Sequence, residues 1–275
     1  MSRHGFHFSK GLGQNFLCAP HVPPAIAERA GIDENTGVLE VGPGIGTLTQ
    51  ELCRRARRVV AVELDHRLPP VLEETLREYD NVTVVEGDIL KTDIRALCER
   101  EIGAGPMVAC ANLPYYITTP ALSALIDSGC FACITVMVQK EVARRICAKA
   151  GTADYGAFTV YAQYHAKPSI VLDVPAGCFI PAPKVDSAVV RLDVYRENPL
   201  QVADERLFFR VVKAAFSQRR KMLLNCLRHG FSDLSREQAV AGITAAGLPE
   251  NVRGEQLTLE DFARLAEKIG ENLQK

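Results

Sequence analysis

Short apolar runs rich in Val, Ile and Ala alternate along the chain with longer segments whose apolar positions recur every three or four residues. Runs of strand length with no polar alternation read as strands covered on both faces, and the segments between them read as helices. The first run, Val38-Leu39-Glu40-Val41, enters Gly42-Pro43-Gly44-Ile45-Gly46, after which Thr47, Leu48 and Leu52 begin a helical pattern. Further strands are expected at Val59–Val62, Val82–Val85, Met107–Ala111, Ile134–Val138, Ile170–Val174 and Ala188–Leu192, with helices at Pro20–Ala30 and Lys140–Lys149 among others. Strands separated by helices predict an α/β fold with a mainly parallel sheet.

In an open parallel sheet, ligands lie beyond the carboxyl ends of the strands. Four successive strand ends carry Gly42, Glu63, Asp88 and Asn112. The glycine spacing is G-x-G-x-G rather than the G-x-G-x-x-G of dinucleotide binders, which points to a nucleoside ligand without a pyrophosphate. Glu63 follows at about 20 residues, where an acid accepts from ribose hydroxyls. Asp88 is placed to accept from an adenine amino group. A single acid at a strand end is most simply a helix cap; four polar ends along one edge are hard to explain that way.

Asn112-Leu113-Pro114-Tyr115 carries the candidate chemistry. The amine of a purine is a poor nucleophile because its lone pair is delocalised into the ring. An Asn oxygen and a backbone carbonyl accepting its two N–H bonds would draw the nitrogen towards tetrahedral geometry. Pro114 fixes φ and has no N–H of its own, and Tyr115 offers a face on which a flipped base can stack. The loop Gly177–Ser187 holds Pro181 and Pro183 and is expected to present Phe179, unless that ring is a buried structural aromatic.

Arg206–Arg228 is expected to be one amphipathic helix bearing Arg206, Arg210, Lys213, Arg219, Arg220, Lys221 and Arg228 with no acid between them. A solvated helix face usually mixes signs, so this one suggests a phosphate-binding surface. The chain as a whole has a net charge of −1, so any nucleic-acid partner must be met by such a local patch. Nine scattered cysteines suit a reducing compartment. Cys130-Phe131-Ala132-Cys133 has no second pair and enters a core strand, and His165 lies among apolar residues, so both read as packing rather than metal sites. Met1-Ser2-Arg3-His4 leads into no apolar stretch of signal-peptide length and the longest apolar run is too short to span a bilayer, so a cytoplasmic protein without membrane or metal is expected.

Taken together, the chain resembles the ribosomal RNA adenine dimethyltransferase family. The resemblance rests on Gly13-Gln14-Asn15-Phe16-Leu17, Glu40-Val41-Gly42-Pro43-Gly44, Glu63-Leu64-Asp65, Gly87-Asp88, Asn112-Leu113-Pro114-Tyr115, Phe179–Ser187 and Phe216-Ser217-Gln218-Arg219-Arg220-Lys221. It implies a seven-stranded, Rossmann-like class I methyltransferase domain over 1–197 and a small all-α RNA-binding domain over 198–275, with residues 1–20 covering cofactor and substrate. It implies S-adenosylmethionine as donor and two adjacent adenosines near the 3′ end of small-subunit ribosomal RNA as acceptors, within a pre-small-subunit particle. The enzyme is expected to be monomeric. By position, Asn15, Leu17, Gly42, Gly44, Glu63, Asp88 and Asn112 would contact the cofactor. Asn112, Leu113, Pro114 and Tyr115 would form the amine site, with Phe179 as a second stacking face and Arg219, Arg220 and Lys221 on RNA. One departure is Leu68-Pro69-Pro70, whose second proline is expected to shorten a helix start beside the adenine pocket. The rival readings are a large-subunit methyltransferase of the macrolide-resistance type, which usually has Ile where Leu113 stands, and a non-catalytic assembly factor.

Overall fold

The structure, a computed structural model, describes residues 15–273. Arg3, Lys10, Gly13, Gln14 and the rest of the first fourteen positions of the expected covering segment lie outside the described residues. The chain divides into two compact units.

The first unit is built on a seven-stranded sheet. Its strands are β2 (Gly37–Val41), β3 (Arg58–Glu63), β4 (Val82–Glu86), β5 (Met107–Asn112), β6 (Cys133–Gln139), β7 (Ala166–Val174) and β9 (Ser187–Val194), arranged in the order β4-β3-β2-β5-β6-β9-β7. All seven expected strands are present. The five from β4 to β6 run parallel and β9 pairs antiparallel with β6. The central strands are buried along almost their whole length, which is why they read as unbroken apolar runs, whereas β4 at one edge is largely half-buried. Pro168 sits in β7 at the other edge, the place in a sheet where a missing N–H costs least.

Helices α1 (Val22–Arg29), α2 (Thr47–Arg55), α3 (Pro69–Leu76), α4 (Ile94–Glu101) and α5 (Thr118–Asp127) connect the strands. Val22, Ile26, Leu48 and Leu52 pack with Val38, Val59 and Val108 in one core. A separate two-stranded ribbon joins β1 (Phe16–Leu17) to β8 (Phe179–Ile180), with Leu17 opposite Phe179. Pro69 and Pro70 occupy the first two positions of α3, where backbone N–H groups have no helical partner. The doubled proline therefore starts the helix without a lost bond.

The second unit draws on Arg144–Ala166 as well as on the chain from Glu197 onward. A boundary at 197 alone thus leaves out α7 (Ala157–His165), whose Val160 and Tyr164 share a core with Phe208, Leu227, Phe231 and Phe262. Sequence order hides this, because the segment is inserted between two strands of the sheet. The unit's other helices are α8 (Glu205–Ala215), α9 (Leu223–Gly230), α10 (Arg236–Ala245) and α11 (Leu259–Leu273); α6 (Lys140–Ile146) crosses from one unit to the next. Asp204 caps α8 and a Ser235–Gln238 capping box starts α10.

The single helix expected over Arg206–Arg228 is two helices, α8 and α9, separated by a turn at 216–222. Residues Ser217–Lys221 are five consecutive polar positions, so a continued helix would have no apolar stripe to bury there. Nor are its charges all unmatched. Arg210 pairs with Asp233 at 2.8 Å, and Arg219 lies 3.8 Å from Glu255 and donates to the Ala153 carbonyl.

The end of α8 is approached closely by Gly254, where an added Cβ would fall 2.7 Å from the Ala215 carbonyl oxygen. Gly254→Ala should therefore cost about 1–3 kcal/mol, the usual range for overpacking, and lower the melting temperature in calorimetry. Gly177→Ala, where the added atom meets nothing within 4 Å, should leave it unchanged.

Candidate active site

The parallel order reverses on either side of β2, and a cleft of about 210 Å³ opens beyond its carboxyl end. Its walls come from Asn15–Leu17, the glycine turn, and the ends of β3, β4 and β5. The turn takes its shape from Gly42, Gly44 and Gly46, with φ of 68°, 60° and 87°. Side chains are strained at such φ values. At Gly44 the lack of a Cβ also lets the Phe16 ring approach to 3.0 Å of where that atom would be.

Glu63 is buried at the end of β3 and is not a helix cap. Its Oε2 accepts from Gly44 N at 3.1 Å and its Oε1 from Asp65 N at 2.8 Å. The carboxylate thus braces the glycine turn, while burial holds its pKa above the ordinary value against the pull of those two N–H groups. Asp88 accepts from Leu90 N at 3.0 Å and also lines the cleft; the helix cap in this region is Asp93. Leu68 remains in the cleft wall beside the doubled proline.

Asn112 ends β5. Its Nδ2 donates to the Asn15 carbonyl at 3.2 Å, which leaves Oδ1 as the accepting atom of the amide. Among the next carbonyls, that of Pro114 accepts from Ile117 N at 3.1 Å, whereas that of Leu113 takes no hydrogen bond among the described residues. Tyr115 is half-buried in the cleft and its hydroxyl lies 2.8 Å from Ser187 Oγ. Among the described residues, the aromatic lining consists of Phe16, Tyr115 and Tyr116. Phe179 differs from expectation: it is 3% exposed, packed in the core opposite Leu17, and not among the described lining residues. Its place in the β1–β8 ribbon turns the ring inward, which a loop between prolines did not foretell.

Glu63 and Asp88 share the cleft with a third acid, Glu40, and no Lys or Arg occurs among the described lining residues. A ligand carrying positive charge on a nucleoside fits that set. No cluster of three metal-ligating side chains occurs among the described residues, and His165 stacks on Phe209 at 5.7 Å between ring centroids. Nor is any described helix long and apolar enough to cross a membrane.

A profile of the ribosomal RNA adenine dimethylase family matches residues 5–270. The chain belongs to that family. It is 47% identical over 276 residues to the ribosomal RNA small subunit methyltransferase A of Lachnoclostridium phytofermentans, covering 99% of this chain and 95% of the relative. The protein of the same name from Shouchella clausii is 44% identical over 279 residues, covering 100% and 94%. Among solved structures, a dimethyladenosine transferase from Plasmodium falciparum superposes with a TM-score of 0.78 at 26% identity, covering 94% of this chain and 98% of that one. The 23S rRNA methyltransferase ErmE superposes at 0.71 and 29% identity, covering 93% and 100%.

In this dimethylase the cleft contains residues that the strand-end argument passed over. Leu64 and Leu90 are 48% and 42% exposed on the cleft wall, each one or two positions beyond an acid already singled out. Glu40 is 1% exposed, and its Oε2, like Thr49 Oγ1, has no hydrogen bond among the described residues. An acid inside the run Val38–Val41 was visible in the sequence as the one polar residue of a buried strand.

Burial pushes the Glu40 carboxyl up to about 8; the nearby Thr49 hydroxyl partly opposes this and the Glu63 carboxylate adds to it. An unfolded glutamate loses its proton near 4.5, so between the two values the folded state binds one proton more and stability falls as pH rises. Glu40→Gln should remove that dependence. Thermal unfolding of the cofactor-free protein between about pH 5 and 8 should show the variant losing less stability, by about 1 kcal/mol per pH unit. Parallel curves for the two proteins would mean that Glu40 is ionised throughout.

Proposed function

We propose that the chain transfers methyl groups from S-adenosylmethionine to N6 of two adjacent adenosines near the 3′ end of small-subunit ribosomal RNA. The observation that carries this reading is the Asn112 amide. With Nδ2 engaged by Asn15, Oδ1 is oriented to accept, and the Leu113 carbonyl beside it is the second acceptor. Two acceptors next to an aromatic face suit an exocyclic amine on a flipped purine. The relatives named for the small subunit are 42–47% identical over nearly the whole chain, against 29% for the 23S enzyme, which favours the small-subunit substrate.

The residues divide the work. Glu63 would hold the ribose hydroxyls, Asp88 the adenine amino group, and Asn15, Leu17 and the backbone at Gly42 and Gly44 the rest of the cofactor. When bound, S-adenosylmethionine supplies a methyl group on a positively charged sulfur. Asn112 and Leu113 accept the two N–H bonds of the target amine, localise its lone pair and aim it at that methyl. Tyr115 stacks the base. Transfer removes the sulfur's charge, so a cleft partly closed to water does not oppose it. No strong base is needed, because the methylated amine is acidic enough to give its proton to water. The substrate is a pre-small-subunit particle in the cytoplasm, and the enzyme acts as a monomer.

Radiolabelled methyl transfer to isolated, unmethylated small and large subunits should label the small subunit alone; labelling of the large one would favour the macrolide-resistance type. Asn112→Ala should slow single-turnover transfer by at least about 100-fold, as expected when one pre-organised polar group at the reacting atom is removed, with subunit binding unchanged. A rate within tenfold of wild type would remove Asn112 from this role.

Docking falls to the turn between α8 and α9. Arg220 and Lys221 are exposed there and have no ion-pair partner among the described residues, whereas Arg219 is engaged within its own unit. Arg220→Gln with Lys221→Gln should weaken subunit binding and flatten its salt dependence by about 0.7–0.9 log units for each phosphate no longer neutralised. Binding measured across a salt series would show parallel lines if the turn does not meet RNA.

A further inference from the structure

A ring that only stacks needs its face, yet the hydroxyl of Tyr115 is also held. Its Oη lies 2.8 Å from Oγ of Ser187, a residue 72 positions away and 0% exposed. Ser187 opens β9 and stands opposite Gln139 of β6, and the neighbouring Asp186 carbonyl accepts from Lys140 N at 3.0 Å. The hydroxyl is therefore fixed to the frame of the sheet. The other end of Tyr115 is fixed as well: Ile117 N donates to the Pro114 carbonyl at 3.1 Å, and Thr118 Oγ1 donates to the Tyr115 carbonyl at 3.2 Å. Tyr116, the next residue, is 56% exposed and has no such anchor among the described residues.

Two fixed ends define the long axis of the Tyr115 ring, because the phenol oxygen lies on the line through Cβ and Cγ. A tyrosine held only through its backbone can change its first side-chain torsion, and a ring swung to another rotamer offers a base at the amine site no stacking surface. A buried partner resists exchange with water, so this bond keeps more of its strength than one at the surface. Burial and the Asp186 charge also keep the Tyr115 phenol protonated past its ordinary range, with the Ser187 bond acting the other way.

We infer that Ser187 is a positioning residue for methyl transfer: its hydroxyl fixes the direction in which the Tyr115 side chain extends, so that the ring stays at the amine site where the target base stacks. The inference rests on the proposed amine site. Ser187 is not among the described lining residues of the cleft and acts through Tyr115. The pair also accounts for the use of Tyr115 rather than Tyr116 at the amine site.

The test compares wild type, Ser187→Ala, Tyr115→Phe and the double variant as full-length proteins on unmethylated small subunits. Single-turnover transfer at saturating subunit, subunit affinity and calorimetric cofactor affinity are measured for each. Each single variant should slow saturated transfer by about tenfold, the scale of a small misplacement of a reacting group. Both affinities should stay within about twofold, and the double variant should be no slower than the slower single, because both substitutions remove one bond. Tyr115→Phe deletes only the hydroxyl and keeps the ring, so it tests the lock even if Ser187→Ala folds poorly. Saturated rates within about twofold of wild type for Tyr115→Phe, losses that multiply in the double variant, or losses confined to subunit affinity would each overturn the inference. Wild-type protein that labels no small subunit would overturn the proposed function and this inference with it; wild-type labelling with an unaffected Tyr115→Phe overturns the lock alone.

Discussion

The hydrogen bond from Asn112 Nδ2 to the Asn15 carbonyl orients the chemistry of the cleft. An asparagine amide presents a donor and an acceptor at nearly the same position, and only its surroundings decide which faces a ligand. A backbone carbonyl can only accept, so it draws the NH₂ end and turns Oδ1 the other way. The carbonyl is itself held in place by the chain that follows it. Phe16 and Leu17 pair with Ile180 and Phe179, and Cys18 N donates to the Cys178 carbonyl at 2.8 Å. The segment before the sheet, the loop before β9 and the loop after β5 thus hold one another. The Tyr115–Ser187 bond closes the same circuit from the other side.

Charge supplies the second constraint. Three acids line a cleft that has no Lys or Arg among its described lining residues, although Lys91 lies 3.7 Å from Asp88 Oδ2. Glu63 offsets part of its burial with two backbone N–H bonds, while Glu40 has an oxygen with none and stays protonated up to about 8. A buried carboxylate with an unbonded oxygen is costly, which keeps the proton on Glu40. Glu63 and Asp88, beside a glycine turn that lets a ligand come close to the backbone, suit a cationic nucleoside better than a phosphorylated one.

Most of the sheet could be read from the sequence because central parallel strands are buried on both faces, which leaves an unbroken apolar run as their signature. The strand-end residues were legible for a related reason: Gly42, Glu63, Asp88 and Asn112 interrupt those runs at equivalent places. What could not be read depends on tertiary neighbours. The break between α8 and α9 left only a run of polar residues, which also suits a solvated helix. Phe179 sits before prolines whether its ring faces inward or outward, and its pairing with Leu17 turns it inward. The assignment of Arg144–Ala166 to the helical unit is a matter of which core Val160 and Tyr164 join, and periodicity does not name the partner.

On the proposed reading, these constraints bear differently on the two methylations of one nitrogen. In the first, the amine has two N–H bonds for the Asn112 oxygen and the Leu113 carbonyl, and both acceptors hold the nitrogen. The product of that step has only one N–H left, so one acceptor loses its bond and the amine is held less firmly about the bond to the ring. The base must then be kept in line mainly by its stacking on an aromatic face. A ring free to swing costs the first transfer less, while two hydrogen bonds fix the amine, than it costs the second, when one remains. The anchored Tyr115 hydroxyl is therefore of most value in the second transfer, where hydrogen bonding to the substrate is weakest and the geometry required is the same.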